Sequence, residues 1–287
     1  MTTELTQRLL DRFGPAGLYR PGPAALAGTA ASAGTVALLT GAGLPLQVGP
    51  YFAAEPGQPL RLGDWARGVG LSADGRPEAD WVRLGNDRGA ELCVDGGGRV
   101  WAVYLAFQGP SVPVNSSLGA FLDSLCDLDE NLRALAAAER PEEVFQLFSA
   151  AEGRLRGTDL RAFESDEQWW PRVLEDIRHT RGVPGYAAFK VRGKDGEPQI
   201  ITADGSLALH AEEALWHRLS AGGLDPDDVV EVYTELQACT MPGHYCAMWM
   251  ARAFPNAEFT HSYDYGDTAA ERDAGIRELA AALTEQQ

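Results

Sequence analysis

The sequence predicts two domains of mixed helix and strand: an α+β domain over residues 1–180 and an α/β domain over residues 181–287. Three observations carry this. First, 287 residues with 45% hydrophobic side chains exceed what a single core usually holds and suffice for two. Second, a β-rich hairpin near residue 97 is followed at once by an amphipathic helical stretch. Third, beyond residue 181 strands and helices alternate over about 105 residues, the pattern of an α/β unit.

Taken in order, "MTTELTQRLLDRFG" reads as a short amphipathic helix with charges throughout, and it lacks the apolar core of an export signal. The following "GPAGLYRPGPAALAGTAASAGT" is dense in Gly, Pro and Ala, so a loop with one short helix is expected there. "DWVRLGN" and "AELCVDGGGRVWAVYLA" read as strands, the second turning back on Gly96, Gly97 and Gly98. In "VNSSLGAFLDSL", Asn115, Ser116 or Ser117 can cap a helix whose Leu118, Phe121, Leu122 and Leu125 repeat at i, i+3, i+4, i+7. Residues 141–180 are helical in parts, and the adjacent Trp169 and Trp170 are expected to pack in a core. Cys93 and Cys126 fit apolar positions of a strand and a helix, as core thiols.

After residue 181, strands are expected at "YAAFKV" and "PQIITAD", joined by the turn "RGKDGE". A helix at "LHAEEALWHRL", a strand at "DVVEVYTEL", a helix at "AMWMARAF", a strand at "AEFTHSYDY" and a closing helix at "AAERDAGIRELAAALTE" complete the chain. No window approaches the roughly 18 uninterrupted apolar residues of a membrane span. With no export signal either, a cytoplasmic protein is expected, in which thiols stay reduced and a close cysteine pair suits metal binding or chemistry better than a disulfide.

The net charge of −17 argues against a broad grip on nucleic acid phosphates and favours a partner with a basic surface. Both halves share it. Residues 1–180 hold 16 basic and 24 acidic side chains, and residues 181–287 hold 8 and 17.

The octapeptide "CTMPGHYC", Cys239 to Cys246, lies between a strand end and a helix start. On its own the pair fits core packing as well as ligation. A third group shifts the balance: His210 opens a helix, with Glu212 two residues on. One His and two Cys make up the three-ligand set of a catalytic zinc site, whose fourth position stays open for water. Such a water needs a positioned carboxylate to move protons, and Glu212 is the candidate. The helix starts favour an ionised Glu212 and a thiolate at Cys246.

His-x-Glu, followed after one strand by a Cys pair at the start of the next helix, is the arrangement of zinc deaminases acting on nucleobases. Residues 181–287 therefore resemble the cytidine deaminase-like superfamily, and "TELQACTMPGHYCAMWM" is most similar to deaminase domains of bacterial polymorphic toxin systems. The resemblance implies an α/β three-layer fold, His210, Cys239 and Cys246 as zinc ligands, and Glu212 as proton shuttle. It also implies a nucleotide or single-stranded nucleic acid substrate. Asp204 and Ser206, before the His210 helix, stand where relatives carry polar substrate-binding groups, while Tyr245 and Tyr263 can stack on a base.

Two positions depart from the superfamily pattern. Ala238 replaces the usual Pro before the first Cys, and six residues rather than two separate the cysteines. The longer gap fits if "TMPGHY" loops outward on the turn-forming Pro242-Gly243. His244, inside that gap, is an alternative ligand, and as a fourth one it would close the site into a structural zinc centre. Glu213 is expected to be a solvated first-turn carboxylate, His217 packed or solvated, and His261 at the surface or in a core rather than at the pocket.

"WVRLGNDRGAELCVDGGGRVWAVYLAFQGPSVPVNSSLGAFLDSL", together with the later "WWPRVLEDI", resembles the SUKH superfamily of bacterial immunity proteins, in particular SUKH-4. The shared pieces are Arg83-Leu84-Gly85, Val100-Trp101, the Val114–Leu118 cap and the terminal Trp. The resemblance implies an α+β SUKH-like domain that neutralises toxins by contact, with a basic toxin protein as its partner. The whole then reads as a zinc-dependent nucleobase deaminase fused to a SUKH-type domain in a toxin/immunity system. The alternative is an immunity protein whose deaminase-like half is inactive or serves recognition.

Overall fold

The structure, a computed structural model, describes residues 2–106, 109–193 and 196–285. The chain forms two compact units, Met1–Pro171 and Arg172–Gln287. Among the described residues no helix is long and apolar enough to cross a membrane.

The first unit contains α1 (Thr2–Phe13), β1 (Leu18–Tyr19), α2 (Ala33–Gly41), β2 (Leu44–Pro45), β3 (Gln47–Val48), β4 (Phe52–Ala53) and α3 (Leu62–Gly68). It continues with β5 (Val82–Asn86), β6 (Glu91–Val94), β7 (Val100–Val103), β8 (Val112–Asn115), α4 (Leu118–Ala137) and α5 (Pro141–Thr158). Strands β3 to β8 form one antiparallel sheet in sequence order. In the β6–β7 turn the Asp95 carboxylate accepts from the Gly97 and Arg99 amides and from Trp101 Nε1, and Gly98 adopts φ +86°. Ser117 caps α4 by accepting from the Ala120 amide at 3.1 Å. The stripe Leu118, Phe121, Leu122, Leu125 is buried as its spacing predicts, and so are the thiols of Cys93 and Cys126.

Gly85 is required by a close approach: a Cβ there would lie 2.1 Å from the Ala53 carbonyl oxygen. Beside it, Arg83 is almost wholly buried, hydrogen-bonded to both Glu55 and Glu91, with its guanidinium 4.4 Å from the Trp65 ring centroid. Helix α6 (Trp169–Gly182) begins in this unit and runs on into the next. Its Trp169 and Trp170 are core residues that meet edge to face, donating to Asp87 (2.7 Å) and Asn115 (2.8 Å).

The second unit adds β9 (Tyr186–Arg192), β10 (Pro198–Asp204), α7 (Ala211–Ala221), β11 (Val229–Leu236), α8 (Cys246–Ala253), β12 (Glu258–Tyr263) and α9 (Ala269–Glu285). Of the expected turn at residues 192–197, Lys194 and Asp195 lie outside the described residues. The sheet order is β10-β9-β11-β12, with β11 and β12 parallel and α8 in their crossover. Strand alternation sends Ala187, Phe189 and Val191 of β9 and Val232 of β11 into one core with Leu215 of α7, Met250 of α8 and Phe254, which caps α8. Helices α7 and α8 therefore pack on the same face of the sheet.

Candidate functional site

His210 is the N-cap of α7, and its backbone amide donates to Glu213 at 3.3 Å in a capping box. Cys239 follows β11, and Cys246 is the first residue of α8. Packing of α7 and α8 on one sheet face brings the three together. His210 Nδ1 lies 3.4 Å from the Sγ of Cys239 and 3.4 Å from that of Cys246. A tetrahedral zinc, about 2.0 Å from nitrogen and 2.3 Å from sulfur, separates such atoms by roughly 3.5 Å. The one-nitrogen, two-sulfur set thus fits zinc in chemistry and in spacing, and all ligand atoms lie within 4.8 Å of one another. The Glu212 carboxylate reaches to 3.9 Å from the same Nδ1.

The electrostatics differ from the helix-start expectation of a thiolate at Cys246 and an ionised Glu212: Cys239 is the lowered thiol, while Cys246 and Glu212 are both raised. Burial pushes the Cys239 thiol up, but Cys246 and the His210 imidazole outweigh it and hold Cys239 well below the usual thiol range. Burial and the neighbouring Cys239 push Cys246 up. Burial also raises Glu212, so its carboxyl keeps a proton to higher pH than an exposed one would.

The linking segment does not loop outward as expected. Met241 to Tyr245 are all buried, with the His244 and Tyr245 amides turning back on the Met241 carbonyl. Gly243 (φ +84°) and Tyr245 (φ +46°) take the left-handed conformation that the turn demands. The inward fold has a charge-based cause. His244 sets Nδ1 2.6 Å from Glu213 Oε2 and Nε2 3.0 Å from Asp176 Oδ2. Glu213, expected in solvent, is accordingly buried. Desolvation opposes charge on His244, yet the two carboxylates push its pKa up to about 9. With both ring nitrogens turned to carboxylates, His244 faces neither sulfur.

A cavity of about 60 Å³ opens beside the cluster, with His210, Glu212, Cys239, Thr234, His179 and Tyr265 among its walls. None of the four residues expected to touch substrate lines it. Asp204 pairs with Tyr186 and is exposed, Ser206 is exposed in the loop before α7, Tyr245 is buried, and Tyr263 is half-buried at the end of β12. On β10 it is Ile201 and Ala203 that pack against the core of this unit, and Asp204 follows Ala203 on the alternate face. His217 and His261 are exposed, the latter 2.9 Å from Asp264. Two wall residues went unnoticed in the sequence: His179 Nδ1 meets the Tyr265 hydroxyl at 2.9 Å. Burial and Arg178 lower His179 to about 4, which leaves a neutral imidazole at the wall.

Comparison with known families divides the chain at almost the same place. Residues 5–176, well over half of the chain, match the family model described as SUKH-4 immunity protein. The chain belongs to the SUKH-4 immunity protein family. Residues 182–282 of this SUKH-4 chain match a second family model, described as Xanthomonas-like deaminase. A SUKH immunity domain is thus joined to a deaminase-like domain, as the motifs imply. No curated protein and no solved structure matches the chain.

Proposed function

We propose that the second domain is a zinc-dependent deaminase with the α/β three-layer fold, acting hydrolytically on a nucleobase in a nucleotide or single-stranded nucleic acid. The observation that carries this is the meeting of His210 Nδ1 with both sulfurs at 3.4 Å beside the Glu212 carboxylate. Zinc, when bound, supplies Lewis acidity toward a water molecule at its open position. His210, Cys239 and Cys246 hold the ion. Glu212, its pKa raised by burial, would take a proton from the water as the water oxygen bonds to the amino-bearing ring carbon, and would pass it to the amino nitrogen, so that the carbon–nitrogen bond breaks and ammonia leaves a carbonyl behind. The neutral His179 and the Tyr265 hydroxyl offer hydrogen-bonding groups to a base entering the cavity. Buried thiols suit a reducing, cytoplasmic setting.

The test is twofold. The purified protein is expected to carry about one zinc per chain by elemental analysis and to release ammonia from a cytosine or adenine nucleotide or from single-stranded nucleic acid. Native, stable protein that takes up no zinc would remove the proposal.

A second reading is favoured by the SUKH-4 membership and the net charge of −17: the protein binds and neutralises a basic toxin, with the deaminase-like half inactive or used for recognition. Titration against purified basic toxin domains tests it. Absence of binding, with deaminase activity present, excludes it.

A further inference from the structure

We infer that Asp176, on α6, is a positioning residue that holds His210 in the one orientation in which its Nδ1 faces both cysteine sulfurs. The inference rests on the zinc reading of that cluster.

Asp176 is 1% exposed and uses both carboxylate oxygens: Oδ1 lies 2.9 Å from His210 Nε2, and Oδ2 lies 3.0 Å from His244 Nε2. An imidazole presents a lone pair on one nitrogen only when the other carries the proton. By accepting from Nε2–H, Asp176 selects the tautomer whose lone pair sits on Nδ1, the atom aimed at the sulfurs. It also selects the rotamer. The χ2 torsion of histidine is broad and roughly two-fold, so nothing intrinsic keeps Nδ1 rather than a ring carbon on the sulfur side. Two further contacts complete the clamp. Glu213 holds the His210 amide at 3.3 Å, and the His244 ring stacks on the His210 ring at 3.9 Å between centroids. Since His244 is itself set between Glu213 and Asp176, one chain of contacts fixes His210 by backbone, ring face and ring edge.

Asp176 is the last residue of the SUKH-4 match and lies six residues before the deaminase-like match begins. The grip on the metal therefore depends on a helix upstream of the stretch that carries the metal motif. Carboxylates that orient a ligating histidine typically contribute 10- to 100-fold in metal affinity.

The experiment compares the full-length protein with Asp176→Asn and Asp176→Ala. It measures zinc affinity by competition with a chromophoric chelator, the visible spectrum of the cobalt(II)-loaded protein, and thermal unfolding of the metal-free protein. Asp176→Ala is expected to weaken zinc about 10- to 100-fold. Asp176→Asn keeps one oxygen to accept from Nε2–H and is expected to lose less. Both are expected to alter the cobalt spectrum, which a purely structural role would leave unchanged while melting temperature fell. Should the alanine variant not fold, the asparagine variant decides. Folded variants that bind zinc within twofold of wild type, with the wild-type cobalt spectrum, overturn the inference and leave the zinc reading standing. A wild-type protein that binds no zinc overturns both.

Discussion

The imidazoles of His210 and His244 lie 3.9 Å apart with 7° between their planes, a parallel stack of a partly buried ring on a buried one. One ring faces the thiols and the other faces two carboxylates. His244→Ala would leave Asp176 and Glu213 buried without the cation between them, and breaking a buried ion pair costs about 3–5 kcal/mol. Chemical denaturation is expected to show a loss of that order in the second unit. A change below 1 kcal/mol would mean that His244 carries no such charge.

Glu212→Ala is expected to keep the metal, because Glu212 is not among the three ligand atoms, and to lower the rate of ammonia release about 10²- to 10⁴-fold. Zinc content and turnover measured on the same preparation check this. Full activity in the variant would take the proton shuttle away from Glu212.

Removal of the metal has its own readout. Zinc that binds the folded but not the unfolded chain adds to stability by mass action. Chelation is expected to lower the unfolding temperature of the wild type and to leave a Cys239→Ala/Cys246→Ala variant unchanged. Equal sensitivity of the two proteins would point to a metal held elsewhere.

His179 sets an acid limit. Its folded pKa, about 4, lies below the ordinary histidine value, so the unfolded chain takes up a proton at a pH where the folded one does not. The stability this group contributes is complete above about pH 6.5 and is lost as pH falls toward 4, on the order of 3 kcal/mol in all. His179→Gln is expected to flatten that part of the stability curve relative to wild type, measured by denaturant unfolding at pH 7, 5.5 and 4. Parallel curves would place the acid sensitivity on other groups.

In the first unit, Arg83 is buried between Glu55 and Glu91 and lies over Trp65. Arg83→Ala strands the partly buried Glu91 and is expected to cost about 3–5 kcal/mol. Denaturation followed by the fluorescence of Trp65 and its neighbours reads this directly. A loss under 1 kcal/mol would show that the guanidinium is not the cation those carboxylates require.

Much of the secondary structure was legible because its signals are local. The Leu118-Phe121-Leu122-Leu125 spacing, the Gly96–Gly98 turn and the Ser117 cap each act within a turn or two of chain, and each appears as read. Of the site, His210, Glu212, Cys239 and Cys246 stood out because ligand chemistry restricts residue type. Asp176 gave no such signal: it is one acidic residue in a helix rich in charges, 34 positions before His210. Glu213 and the Met241–Tyr245 segment misled for a related reason, since first-turn carboxylates and Pro-Gly turns are usually solvated, and only a buried cation reverses that preference.

By itself, then, the sequence determined the two-part organisation, the β5 to β7 strands and the α4 start of the first unit, the helices and strands beyond residue 181, and the residues able to ligate a metal, all of which follow from local periodicity and side-chain chemistry; β1 to β4, α3 and β8 carried no such local signal. Only the tertiary structure decided that α6 lends Asp176 to the cluster, that His244 turns inward to neutralise two carboxylates, and that His179 and Tyr265 rather than Asp204 line the cavity. Those outcomes depend on which faces of distant elements meet, and the cost of burying charge unpaired selects among them.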